Sequence, residues 1–539
     1  MSRGHLRLLG LLLCGALIVA ACAPGEDQAV EPDEEAGEAT PDPDVAQELV
    51  VATGPDEFVD DEINMKRLGM YPLNANICET LVRLTEDFDV EPGLATDWEV
   101  AGDNTFRFEL RDGVEFHDGT PMDAGAVAYT LNYTGEEPAT GTFAFLGPDS
   151  AEAVDDLAVE VTPEEPNMRL VEQINHPTFG ILAPGSDPLE DQDAVCTGPF
   201  RLVEYNENEE LVVERNEDYW GDLARLDRIT FRFIPDDSTR ALALQAGEVD
   251  LIQNVERALV PSLEAPDVKI VRAPVGQVLV VYMALRAAEG EPEPVTSDPA
   301  VRQAIAHAID RESFVEGVLG GEGEVVNTIN PPEVLGEHSD VVEDVEYDPE
   351  TAAQVLDQAG WTLGENGVRE RDGQPLVVRT IFDPVRITPS MAEYVQEQLS
   401  RVGMDAQVEQ LESAAYRERI ENGRGYDLHI EAPNQNDANP AFLLALRWYS
   451  KSRIPNAAFA SPGPDTEFDA LIDQTQQEED PDELRRLAAE AMQQLLAVEY
   501  AAVPLAGTYR IYAMRDTIEG FVPHPSGINQ RWDTVFIGE

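Results

Sequence analysis

Seven histidines, His5, His117, His176, His307, His338, His429 and His524, are scattered through 539 residues. None stands in an HExxH pair, and neither a GxSxG elbow nor a GxxxxGK[ST] phosphate loop occurs. Carboxylates are so numerous, 105 Asp plus Glu, that pairs at glycosidase spacing must arise by accident. A secreted hydrolase is therefore only a remote alternative, and no catalytic residue is assigned. His117 lies in a Phe-His-Asp-Gly turn, where it reads as a structural hydrogen-bonder rather than a base. With neither a CxxC nor a Cys/His zinc spacing, no metal or cofactor is expected. Binding chemistry is better represented. Glu431-Ala432-Pro433-Asn434-Gln435-Asn436-Asp437-Ala438-Asn439-Pro440 gathers amides whose donors and acceptors suit amide or hydroxyl partners. The plainer alternative is a polar turn with an asparagine capping the next helix. Trp448 and Tyr449 are either stacking surfaces for a sugar or side chain, or core aromatics of a helix over 441–449. Arg386 is a candidate for an anionic ligand group, although an exposed loop arginine is the commoner case.

The elements that must hold these residues leave clear marks. Residues 105–110 alternate, with Phe106, Phe108 and Leu110 on one face against Arg107 and Glu109, which predicts a half-buried strand. The second half turns helical. Asp298-Pro299, Asp348-Pro349 and Asp480-Pro481 each put an N-cap acceptor before a proline at the first helical position. Glu483 is placed to complete a capping box. Val301, Ile305, Ala308, Ile309 and Val315 recur at helical spacing, predicting one helix over 298–319 with an inward face.

Charge and cysteines bound the setting. Lys plus Arg number 36, a formal net charge of -69, and the lysines are Lys66, Lys269 and Lys451. That balance excludes a nucleic-acid role, which needs a basic footprint. It also predicts a salt-tolerant protein whose melting temperature rises as salt screens self-repulsion. Arg3, His5 and Arg7 precede an apolar run over 8–21, too short for the roughly 20 residues of a bilayer span. This reads as a signal peptide over 1–21. Val19-Ala20-Ala21-Cys22 resembles a bacterial lipobox, which implies acylation of Cys22. Residues 22–47 are acidic, proline-containing and free of aromatics, and read as a disordered linker. Cys78 and Cys196 then remain as an even pair in an oxidising compartment, either bonded or buried as thiols.

Residues 93–131 carry Leu94, Ala95 and Trp98, then Leu110-Arg111, Gly113-Val114, Phe116-His117-Asp118-Gly119 and Pro121. A second block over 196–252 holds Thr197-Gly198-Pro199-Phe200, Asn216, Asp218-Tyr219-Trp220-Gly221 and Ala246-Gly247-Glu248-Val249-Asp250. A third holds Val301-Arg302-Gln303-Ala304-Ile305 and the segments 347–361 and 372–376. In this order they closely resemble the family 5 extracellular solute-binding proteins of ABC transporters, the oligopeptide-, dipeptide- and nickel-binding type of lipoprotein. The resemblance implies an α/β, two-lobed periplasmic-binding-protein-like fold of type II with an extra inserted domain and a ligand cleft between the lobes. Mapped by motif order, lobe I takes 48–75, 197–283 and 505–539, the inserted domain 76–196, and lobe II 284–504.

The implied function is a monomeric receptor that performs no chemistry. It would be lipid-anchored on the extracytoplasmic face of the bacterial cell membrane and deliver a small solute to an ABC permease and ATPase complex. A peptide is the first expectation for cargo, with an oligosaccharide or a nickel chelate as alternatives. A sensor feeding a signalling partner shares the same features. Asn74 and Asn76 fall in a segment that borders the cleft in relatives. Peptide-binding relatives set an acidic residue four positions before a proline to hold the α-ammonium; here that position is Asn436, with Asp437 adjacent. Arg286 stands where relatives often carry asparagine.

Overall fold

The computed structural model describes residues 45–54, 75–102, 104–136, 146–147, 149–164, 167–186, 194–206, 209–385, 387–433, 435, 438–452, 457–464 and 466–538. Among the described residues strand β1 (Glu48–Thr53) comes first, and the chain then leaves for a smaller domain. There, β2 (Val82–Leu84) and β3 (Val90–Pro92) form a hairpin, and β4 (Ala95–Gly102), β5 (Thr105–Leu110), β6 (Ala151–Asp155) and β7 (Ala158–Val161) make an antiparallel sheet of order β4-β5-β7-β6. Helix α1 (Ala124–Glu136) covers it. The alternation expected for β5 is realised: Phe106, Phe108 and Leu110 are buried beside Val127, Leu131 and Val159.

The Cys78–Cys196 disulfide ties the two ends of this excursion, with Cα atoms 4.9 Å apart. Next to it, Glu79 fastens the domain to the near lobe. Its carboxylate accepts bonds from Thr197 Oγ1 (3.0 Å), Tyr219 OH (2.8 Å) and Trp220 Nε1 (2.8 Å). Burial raises the affinity of Glu79 for a proton, while those three donors and the nearby Arg531 pull the other way. His117 bridges the same junction structurally, through Nε2 to Gly198 O (3.1 Å) and Nδ1 from Cys196 N (3.4 Å).

The near-lobe sheet continues with β8 (Phe200–Asn206), β9 (Glu210–Arg215), β10 (Arg228–Phe233), β11 (Leu251–Ile252) and β12 (Val268–Arg272). The chain then crosses over. Strands β13 (Gln277–Met283), β14 (Gly323–Glu324), β15 (Val377–Phe382), β16 (Asp405–Gln410), β17 (Leu428–Glu431) and β18 (Ala502–Thr508) build the far-lobe sheet, order β14-β18-β13-β17-β15-β16. It returns for β19 (Ile511–Arg515), which slots into the near sheet to give β12-β19-β11-β1-β10-β9-β8. The lobe boundaries expected at 283 and 505 are therefore corrected. Both β13 and β18 belong wholly to the far lobe because they pair with each other from Gln277 opposite Thr508 onward. The crossings lie at 273–276 and at Tyr509 and Arg510. Gly276 is required at the first: a Cβ there would sit 1.7 Å from Pro525 O.

Far-lobe helices begin where the Asp-Pro pairs predict. Asp298 caps α2 (Pro299–Ala308) through Ala300 N, Asp348 caps α4 (Pro349–Gln358) through Glu350 N and Thr351 N, and Asp480 caps α7 (Pro481–Gln493) through Asp482 N and Glu483 N. Two details differ from expectation. The helix read over 298–319 breaks at Ile309, because Asp310 caps a second helix, Arg311–Gly317, by accepting from Ser313 N (2.9 Å). The Glu483 carboxylate turns to Arg486 Nε (2.7 Å) instead of closing a capping box, and Glu478 Oε1 takes the Asp480 N–H (2.9 Å). Between these helices lies α3 (Pro332–Leu335), packed against α7. Two apolar layers sandwich the far sheet, one around Ile305, Leu356 and Leu399, the other around Tyr282, Trp448 and Leu495. Among the described residues, no helix is long and apolar enough to cross a membrane.

Candidate functional site

The amide segment is the connection between β17 and helix α5 (Phe442–Arg447), and an ion pair brackets it. Glu431 ends the strand, Arg447 ends the helix, and Arg447 Nη1 lies 3.4 Å from Glu431 Oε2. The segment is pinned to the first lobe crossing. Gln277 Nε2 donates to Ala432 O (2.6 Å), and Gln435 N lies 3.5 Å from Gly276 O. Within it, Gln435 Nε2 donates to Asn439 O (3.2 Å), and Asn439 Oδ1 accepts from Ala441 N (3.0 Å) at the helix entry. Asn330 Nδ2 holds Pro440 O (2.6 Å). On the other side, Ala438 N lies 3.3 Å from Glu172 O of the inserted domain. Gln435 and Asn439 are thus brought together, both buried, at the place where all three bodies meet.

Below this connection the rings of His429, Tyr282 and Trp448 form a ladder. Tyr282 stacks on His429 with centroids 4.6 Å apart and on Trp448 at 4.7 Å. Tyr416 OH lies 3.0 Å from His429 Nδ1 and 3.4 Å from Ile430 O. Burial keeps His429 neutral, its pKa pushed down to about 4 even though Glu431 favours the charged form. Burial likewise raises the Tyr282 phenol. Trp448 Nε1 and Tyr282 OH are buried and have no hydrogen-bond partner among the described residues.

Two expected ligand contacts are corrected. Asn76 faces the protein: its Nδ2 donates to Gln530 O (2.7 Å) and its Oδ1 accepts from Trp532 N (2.9 Å), stitching the inserted domain to the C-terminal segment. Trp448 is 0% exposed and stacks on Tyr282, so its face is not an open platform for a sugar. Both residues satisfy core or backbone demands first, because burial of an aromatic face and of backbone amides outweighs an optional ligand contact. Tyr449 is half-buried, and its hydroxyl donates to Asp473, beside Lys451. Asn74, Arg386, Asn434, Asn436, Asp437 and the lipidation candidate Cys22 lie outside the described residues.

The sequence reading missed Arg447, His429 and Tyr282, and treated Glu431 only as the start of the amide run. A carboxylate at the carboxyl end of a strand was the available signal for Glu431, since ligands in α/β sheets gather there. Nothing local singled out Tyr282 within an apolar strand. Elsewhere, Glu337, His338 and Asp482 bring one ligating atom each within 4.8 Å on the surface, where His338 Nε2 lies 3.0 Å from Asp482 Oδ1.

Known proteins provide the context for this geometry. The model described as "Bacterial extracellular solute-binding proteins, family 5 Middle" matches residues 89–454. The "Nickel-binding periplasmic protein" of Escherichia coli (strain K12) is 29% identical over 390 residues, covering 69% of this chain and 72% of that protein. "Heme-binding protein A" of Haemophilus influenzae is 27% identical over 489 residues, covering 84% of this chain and 86% of that protein. Among solved structures, NikA from Brucella suis in complex with Fe(III)-EDTA superposes with a TM-score of 0.78 at 25% identity, over 90% of this chain and 99% of that one.

Proposed function

The chain belongs to the bacterial extracellular solute-binding proteins of family 5, and from that premise we propose that it captures a peptide-like solute outside the cell for an ABC importer, held to the membrane by lipid on Cys22. The observation that carries the peptide reading is the Glu431–Arg447 pair bracketing the amide segment, 3.4 Å apart. A carboxylate and a guanidinium together offer partners for an ammonium and a carboxylate, and the amides between them match peptide groups. The cargo is released unaltered: binding shifts the two lobes toward their closed arrangement, and release to the permease reopens them. The receptor works as a monomer, and Asp437, adjacent to the ammonium position of peptide-binding relatives, is a further ligand candidate with Asn434 and Asn436.

A nickel chelate is the second reading, favoured by likeness to the nickel-binding protein of Escherichia coli. Against an anionic chelate stands the net charge of -69. An oligosaccharide is weakened by the burial of Trp448. The deciding experiment is mass spectrometry of whatever copurifies with gently isolated protein, followed by a thermal-shift screen with mixed tetra- and pentapeptides. A bound ligand raises the melting temperature by mass action. Peptide in the extract and a positive shift support the reading. A chelate or sugar in the extract, with no peptide shift, overturns it.

A further inference from the structure

The hairpin turn Thr85–Asp89 of the inserted domain carries an aromatic residue in a conformation that aromatics avoid. Phe88 has φ of 60°, held by Phe88 N to Thr85 O (3.0 Å), Thr85 N to Asp89 O (2.9 Å) and Asp89 N to Thr85 Oγ1 (3.0 Å). Left-handed backbone is costly for a bulky side chain, so such a residue persists where its surroundings compensate. The compensation comes from across the seam. Phe88, 1% exposed, packs in one apolar cluster with Leu84 of its own hairpin and with Val334 of α3 and Ala438, both in the far lobe. His524, from the near lobe, braces the turn from behind, Nε2 to Thr85 O (3.0 Å), with its ring edge-on to Phe88 at 6.2 Å.

Polar contacts flank this plug. Arg485 on α7 pairs with Asp89, Arg169 donates to Glu478 O, and Ala438 N approaches Glu172 O. Arg169 is also paired with Glu172 (2.9 Å). Around them the charge is one-sided. Glu86, Asp87 and Asp89 lie on the turn, and Glu333, with Glu324 near it, is close to Asp87 from the far lobe, against the bases Arg485 and Arg169. Glu333 Oε2 is buried without a hydrogen-bond partner among the described residues, and burial, with Glu324 and Asp87 nearby, makes its carboxyl harder to ionise.

We propose that the Thr85–Asp89 turn is a clasp, with Phe88 as its tongue seated against Val334, that holds the inserted domain on the far lobe and grips harder as salt rises. This rests on the reading of the chain as a two-lobed receptor. Seating Phe88 buries apolar surface, which favours the closed arrangement. Approach of the two acidic rims opposes it, and added salt screens that repulsion. The clasp reaches Ala438 at the end of the amide segment, so its grip raises the fraction of receptor ready to bind.

The test is amide hydrogen exchange on the full-length protein in mild detergent, at roughly 0.1 M and about 2 M NaCl. Phe88→Gly removes the tongue while suiting the left-handed backbone, so the hairpin keeps its fold. The expected result is faster exchange in the far-lobe segment 332–338 by roughly tenfold in Phe88→Gly, with protection in the wild type rising with salt. Arg485→Glu acts in the same direction from the other side. Equal exchange at 332–338 in the wild type and both variants overturns the clasp, even where mixed tetrapeptides still protect that segment and the receptor reading stands. Conversely, exposure of 332–338 in Phe88→Gly with no response to the peptides upholds the clasp and removes the peptide reading.

Discussion

The Tyr282 and Trp448 rings lie 2° from parallel with their centroids 4.7 Å apart, joining the central strand of the far sheet to the helix that follows the amide segment. Trp448→Ala leaves a large cavity and should cost about 3–5 kcal/mol of stability. Trp448→Phe keeps most of the stack and removes Nε1. Because Nε1 is fully buried, Trp448→Phe should lower stability while leaving ligand affinity unchanged; a urea melt and calorimetry with the copurified ligand separate the two.

Asp427 is fully buried and accepts from Val295 N (2.9 Å), Arg379 N (2.8 Å) and Arg379 Nε (3.0 Å), binding three segments of the far lobe. Asp427→Ala leaves those donors unsatisfied and should cost about 3–5 kcal/mol. A denaturant midpoint unchanged from wild type would contradict this.

The disulfide spans a sequence separation of 118. Cys78→Ser with Cys196→Ser should destabilise by about 4–5 kcal/mol in the chain-entropy picture. Because the bond sits at the root of the inserted domain, limited proteolysis should cut there first in the double variant.

Acid sensitivity should centre on buried imidazoles. Burial pushes His176 down to about 3, and His429 and His524 down to about 4. The unfolded chain therefore binds these protons first, and the contribution, whole above about pH 6.5, is lost as pH falls toward 4, at roughly 1.4 kcal/mol per pH unit for each proton. Glu79 and Glu172, raised by burial, act in the opposite sense, favouring the folded state at low pH. His524 faces Glu86, which favours its charge, and Arg510, which opposes it. His524→Gln should flatten the stability profile between pH 6.5 and 4; an identical slope would remove this imidazole from the account.

Melting temperature should rise between low and high NaCl, since the net charge of -69 makes the compact state self-repelling. A flat or falling trend in calorimetry would contradict that.

Local chemistry made part of this protein legible from sequence. The Asp-Pro starts at Asp298, Asp348 and Asp480 are readable because an N-cap needs only residues a turn away. The two-lobed fold was legible through the motif blocks rather than through periodicity. The lobe crossings were not, because assigning β13 to one sheet or the other depends on its pairing with β17 and β18, far along the chain. At the site, Gln435 and Asn439 stood out as a polar run, whereas Arg447 acquires meaning only when a helix brings it back to Glu431. Asn76 looked like a ligand group because its amide chemistry is the same whether it meets a solute or the backbone of Gln530 and Trp532.

Strand β19 lies between β12 and β11, so the near sheet holds a vacant slot until residues 511–515 leave the ribosome and arrive. The far lobe, built from one uninterrupted stretch, can finish first. The last-made strand of the near sheet is thus the keystone of the first-begun sheet, and a chain terminated before it would leave β12 without its neighbour.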